Sequence, residues 1–170
     1  SLIDDYPEKE RGLVNVISSS GMNSGLDRRR IISLLDSLGY GLNSILFNGC
    51  TIDEIRRAGR AEFNIPASKR DLSPEYRQMY EDHGMVISDR LLPCGFIESV
   101  VWLRAFENDS NKDSVEKYIE SCTARYQDVV KRTSKTLDGK RIYLIGWIGR
   151  PMDWMVDALK DSGAIVVKAA

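Results

Sequence analysis

The stretch LIGWIGRP, Leu144 to Pro151, joins an apolar run to a helical pattern through two glycines and an arginine. Gly146 and Gly149 let backbone N–H groups come close to a ligand, because a residue without Cβ leaves room for that approach. Arg150 falls just before the helix that Pro151 opens, where the macrodipole gives a cation no stabilisation. An anionic group held nearby would explain it; so would an ordinary solvated loop. A second cationic loop is NIPASKRD, Asn64 to Asp71, where Ser68, Lys69 and Arg70 stand together after an apolar run. It could face an anion, although a solvated basic turn is the commoner explanation. SSSGMNSG, Ser18 to Gly25, could cradle an anion with its backbone. It has neither GxxxxGK[ST] nor GxGxxG spacing, so a plain turn explains it too.

Metal and nucleophilic chemistry find little support. Cys50, Cys94 and Cys122 lie far apart without a CxxC pair, and His83 is the single histidine. A disulfide framework or zinc site is not expected, and no catalytic or metal-binding residue is assigned. Cys94, between Pro93 and Gly95, could be exposed in a loop; Cys122 reads as a core residue on a helix face. His83 precedes Gly84 and fits the end of a helix, where a histidine meets free carbonyls.

These residues need a scaffold. At 170 residues and net charge −1, the chain is long enough for a disulfide-free core and lacks the basic surplus of a nucleic-acid binder. No apolar run reaches the ~20 residues of a spanning helix, so a cytoplasmic protein without membrane or nucleic-acid partners is expected. The first residue is not Met and the last five resemble a strand. The sequence therefore reads as a segment of a larger protein, with an N-terminal extension over 1–11 and one domain over 12–170.

Apolar, β-branched runs predict strands at Leu13–Ser18, Leu42–Phe47, Ala61–Pro66, Arg141–Ile145 and Ala164–Val167, with a weak one at Met85–Ser88. Helical spacing at Ile31, Leu34, Leu35 and Leu38 predicts a helix closed by Gly39. Thr51 to Glu54 is a capping-box pattern, and Ser73-Pro74 opens another helix. Ile97, Val100, Val101 and Phe106 suit a helix packed on a sheet. Val115 through Thr133 keeps a three-four apolar spacing over one long helix. Strands alternating with helices give an α/β class: a three-layer, Rossmann-like domain with a mainly parallel sheet and helices on both faces. Ligands in such folds bind where strands end and helices begin, which singles out loops 18–25, 48–50, 66–72, 89–95 and 146–151.

Taken in order, VNVIS with its glycine loop, IISLLDSLGYGLNSILFNGCTIDEIRRAGRAEFNI, LPCGFIESVVWLRAF and GKRIYLIGWIGRP resemble the nitrogenase component 1 family. That family includes dinitrogen-reducing subunits, cofactor scaffold proteins and protochlorophyllide reductases. The resemblance runs from about Gly12 to the end, is closest to the α-type subunits, and implies the middle one of three α/β domains. It implies that Met22 and Asn23, Ser68 and Arg70, and Gly149 and Arg150 line a cofactor pocket. In α-type relatives the position of Ser68 carries a cysteine that binds an end iron of the catalytic cofactor. A serine hydroxyl is a far poorer iron ligand, so that cofactor is not expected to be held the same way.

The resemblance further implies a parent enzyme with an iron–sulfur cluster and a metal cluster or tetrapyrrole, none of which this segment binds alone. It implies two partners: a homologous component 1 subunit and an ATP-dependent iron–sulfur reductase protein. Two alternatives stay open: a non-catalytic scaffold for a cluster precursor or small anion, and an unrelated flavodoxin-like domain.

Overall fold

The computed structural model describes residues 2–4, 6, 8–18, 28–47, 49–145 and 152–169. Contacts within the chain divide it into two compact units, Ser1–Leu92 and Pro93–Ala170.

In the first unit, strands β1 (Glu10–Ile17), β2 (Gly41–Leu46) and β3 (Ala61–Pro66) form a parallel sheet in the order β2-β1-β3. Parallel neighbours require crossover connections. Helix α1 (Arg28–Asp36) lies in the β1-to-β2 crossover; α2 (Ile52–Arg56) and a 3₁₀ turn (Arg57–Arg60) lie between β2 and β3. The central strand is apolar because both of its faces are covered: Val14, Val16 and Ile17 are wholly buried. Each such side chain contributes roughly 1.5–3 kcal/mol by leaving water. Ile31, Leu34 and Leu35 form the buried face of α1. Thr51 caps α2 as its sequence predicts, its Oγ1 accepting from the Glu54 N–H while the Glu54 carboxylate accepts from the Thr51 N–H.

Helix α3 (Pro74–Glu81) places Tyr80 in a core cluster with Ile17, Leu46, Ala58 and Met85. His83 Nδ1 lies 2.8 Å from the Met79 carbonyl, the helix-end role expected of it. The weak strand expected at Met85–Ser88 reduces to one parallel bridge between Asn64 and Ile87. The stretch preceding Gly12 has tertiary partners of its own: β1 already begins at Glu10, which pairs with Arg60. Ile3 packs on the Tyr80 cluster, and the Asp4 N–H donates to the Arg56 carbonyl at 3.0 Å.

A polar row crosses the same sheet. Asn15 Nδ2 donates to Asn64 Oδ1 at 2.8 Å and to the Ala58 carbonyl at 2.9 Å. Asn43 Nδ2 donates to Asn15 Oδ1 at 2.8 Å, and Asn64 Nδ2 to the Val86 carbonyl at 2.8 Å. Asn15 and Asn64 are wholly buried, so each amide needs these partners to offset lost hydration.

In the second unit, α4 (Phe96–Phe106) and α5 (Lys112–Leu137) precede β4 (Arg141–Leu144), α6 (Asp153–Asp161) and β5 (Ile165–Ala169). Strands β4 and β5 pair in parallel, and α6 lies between them in sequence. Two expectations for this unit need correction. Helix α4 packs against α5 and α6, and it buries Trp102 and Leu103 while Ile97 and Val101 are 50% and 63% exposed. The long helix forms, but its apolar stripe is buried only at Val115 and Ile119; Cys122 is half-buried. No helix among the described residues is long and apolar enough to cross a membrane.

Candidate functional site

Three backbone hydrogen bonds gather the loops at one end of the first sheet. The Ser18 N–H donates to the Leu46 carbonyl at 3.1 Å, Ala67 N–H to Ile17 at 2.8 Å, and Leu92 N–H to Pro66 at 2.7 Å. The exits of β1, β2 and β3 and the approach to residue 92 therefore share one edge, the carboxyl end where α/β folds bind ligands. Phe47, the first residue past β2, has φ +63° and is 47% exposed. That conformation is uncommon for a bulky side chain and tends to occur at ligand-facing turns.

Ser68 opens a 3₁₀ turn, Lys69–Leu72, at the exit of β3. Its N–H and its hydroxyl both donate to Asp71 Oδ2, each at 2.9 Å, and the Asp71 N–H donates back to the Ser68 carbonyl at 3.1 Å. Asp71 is wholly buried and Ser68 nearly so. Lys69 and Arg70, between them, are exposed, and no side-chain hydrogen bond or ion pair engages either among the described residues. Tyr80 belongs to the core cluster, its hydroxyl unpartnered among the described residues. Burial, then the nearby charge of Asp71 and the Tyr76 phenol, hold its ionisation well above the usual phenol range.

Of the sequence-predicted site residues, Ser68 and Arg70 sit together on this turn. Met22, Asn23, Gly149 and Arg150 lie outside the described residues. Sequence reasoning misses the Asp71 clamp although the signal is present: Ser68-Lys-Arg-Asp71 repeats the hydroxyl-x-x-carboxylate spacing of Thr51 to Glu54.

The second unit holds a separate cavity of about 330 Å³, lined by residues that include Cys94, Phe96, Glu98, Tyr126, Trp154 and Asp157. Phe96 and Tyr126 stack with ring centroids 4.5 Å apart. Tyr126 donates its hydroxyl to Asp161 at 2.6 Å; burial first, and then that carboxylate, push its ionisation up to about 12. Glu98 accepts the Cys94 N–H at 3.1 Å beside the start of α4, and Asp153 opens α6. Both acids thus sit where helix dipoles favour them.

Among the described residues no group of three or more His, Cys, Asp or Glu could hold a metal ion. Among the described residues the Ser68 turn offers two exposed cations, Lys69 and Arg70, and no thiolate or imidazole.

The family model for nitrogenase component 1 type oxidoreductases matches residues 1–170. The B-type chain of a light-independent protochlorophyllide reductase from Synechococcus sp. (strain JA-2-3B'a(2-13)) is 30% identical over 129 residues, 71% of this chain and 25% of its own length. The corresponding B-type chain from Heliobacterium modesticaldum (strain ATCC 51547 / Ice1) is 27% identical over 150 residues, 84% of this chain and 28% of its own length. Both relatives are of the B type, where the resemblance carried by GKRIYLIGWIGRP led us to expect α-type relatives. A solved structure titled nitrogenase Cp1 at pH 5 superposes with a TM-score of 0.65 at 20% identity, over 96% of this chain and 33% of its own. That likeness establishes the fold, and the chain spans about a quarter to a third of these relatives' lengths.

Proposed function

Since the chain belongs to the nitrogenase component 1 type oxidoreductases, we propose that it is part of a component 1 subunit whose Ser68 turn lines a tetrapyrrole pocket. The observation that carries this reading is the pair of exposed cations, Lys69 and Arg70, held at the carboxyl edge of a parallel sheet. A guanidinium there can take a propionate carboxylate in two parallel, charge-assisted hydrogen bonds. The names of the curated relatives, protochlorophyllide reductases, support a tetrapyrrole over a metal cluster. An iron–sulfur cluster held elsewhere in the parent would supply the electrons.

The assembly requires a homologous component 1 subunit and an ATP-dependent iron–sulfur reductase protein, and it works in the cytoplasm. The residues of this chain bind and orient; no proton-transfer step is assigned to them. Absorbance titration of the full-length parent protein with protochlorophyllide tests the reading. Binding should shift the pigment's spectrum, and Arg70→Ala should weaken it by roughly tenfold or more, as loss of a charged hydrogen bond does. A spectrum unmoved at saturating protein would refute the pocket.

A further inference from the structure

The Ser68 turn has an internal economy that bears on how it meets a ligand. The Ser68 hydroxyl already donates to Asp71 Oδ2 at 2.9 Å, and the same oxygen takes the Ser68 N–H at 2.9 Å. With Asp71 wholly buried and Ser68 8% exposed, neither side chain is presented to solvent. The residues between them project outward, and the turn is pinned on both sides. Upstream, the Ala67 N–H is bonded to the Ile17 carbonyl; downstream, the Ser73 N–H is bonded to Arg70 at 3.1 Å. A buried carboxylate costs several kcal/mol in desolvation unless hydrogen bonds satisfy it, so the Ser68–Asp71 pair is held tightly and the Arg70 backbone with it.

We propose that Asp71 is the positioning residue of this turn: it consumes the Ser68 hydroxyl internally and fixes Arg70 as the contact to an anionic ligand group. The proposal rests on the pocket reading above and deepens it. Ser68, the residue that sequence resemblance places at the ligand, then serves as a cap and not as a contact.

The test compares two water-soluble porphyrins on the same ring, one bearing carboxylates and one bearing neutral hydroxyls. The measured quantity is the ratio of their affinities for the full-length parent protein. Arg70→Ala should bring the ratio close to one. Asp71→Ala should lower it at least fivefold. Asp71→Asn should restore most of it, because its amide oxygen can accept the same two hydrogen bonds. Ser68→Ala removes one of the two bonds and should lower the ratio about twofold. A merely structural role for Asp71 would weaken both porphyrins alike and leave the ratio unmoved, and that outcome overturns the proposal. So does Ser68→Ala matching Arg70→Ala, which would make the hydroxyl itself the contact.

If the unaltered full-length protein binds neither porphyrin, the pocket reading fails and amide exchange judges the clamp alone. Exchange at the Ser68 amide should quicken in Asp71→Ala and return toward the original rate in Asp71→Asn. Unchanged exchange in Asp71→Ala overturns the clamp.

Discussion

Gly95, at φ +83°, lies against Trp154 so closely that a Cβ on the glycine would overlap the Cβ of the tryptophan. The start of α4 and the start of α6 meet at this point, and the 330 Å³ cavity is lined by residues on either side of it. Gly95→Ala therefore meets two penalties at once, a left-handed backbone and a steric overlap with an atom that cannot rotate away. A loss of about 2–4 kcal/mol is expected in the second unit. Denaturant unfolding read by tryptophan fluorescence checks it; a midpoint within error of the unaltered chain would show that α6 can shift at no cost.

The asparagine row makes a different demand. Asn15→Leu fills the same space on β1 but strands Asn64 Oδ1 and one N–H of Asn43 Nδ2, both now bonded to Asn15; the Ala58 carbonyl keeps the Ala61 N–H. Unpaired buried polar groups cost about 1–3 kcal/mol each where the site cannot relax or admit water, so the substitution should lose at least 2 kcal/mol despite its greater hydrophobicity. The double substitution Asn15→Leu/Asn64→Leu should cost less than the sum of the two singles. Strict additivity would mean the row is not a coupled network.

Much of this frame can be read from local signals. Thr51 and Glu54 announce their cap by type and spacing, and Gly39, Gly84 and Gly163 follow helices with φ of +81°, +62° and +84°. The uncharged runs Val14–Ile17 of β1 and Asn64–Pro66 of β3 are buried strand segments, as their composition announces. Other features depend on what lies opposite, which spacing does not encode. Glu10 is charged, yet it belongs to β1 because Arg60 and Ala61 stand beside it. Cys122 keeps the helical period of Val115 and Ile119, but the elements covering α5 bury only the first part of its stripe. At the candidate site, Arg70 is visible as a cation in a strand-exit loop. Asp71 reads only as a second carboxylate at cap spacing, and its burial depends on tertiary packing that sequence spacing cannot reveal.

Tyr80 offers a substitution that should help. Its ring is packed among Ile17, Leu46, Ala58 and Met85, while its hydroxyl is buried without a partner among the described residues. Tyr80→Phe keeps the ring and removes the desolvated oxygen, so stability should stay level or rise by about 1 kcal/mol. A loss greater than 1 kcal/mol in chemical denaturation would show that the hydroxyl has a water or other partner in solution.

Tyr126 predicts the alkaline limb of stability in the second unit. Its ionisation is pushed up to about 12, first by burial, then by the hydrogen bond to Asp161, and further by the charges of Asp161 and Asp157. In the unfolded chain the phenol titrates near its ordinary value of about 10. The folded state therefore holds the proton more tightly. Its contribution is fully present below about pH 10 and is lost as pH rises from there through about 12. Tyr126→Phe removes this titration and should flatten the decline over that window, with the remaining slope due to other groups. Thermal melts of both proteins at intervals from pH 8 to about 12 decide it. Parallel curves for the two proteins would mean that Tyr126 ionises alike in the folded and unfolded chains.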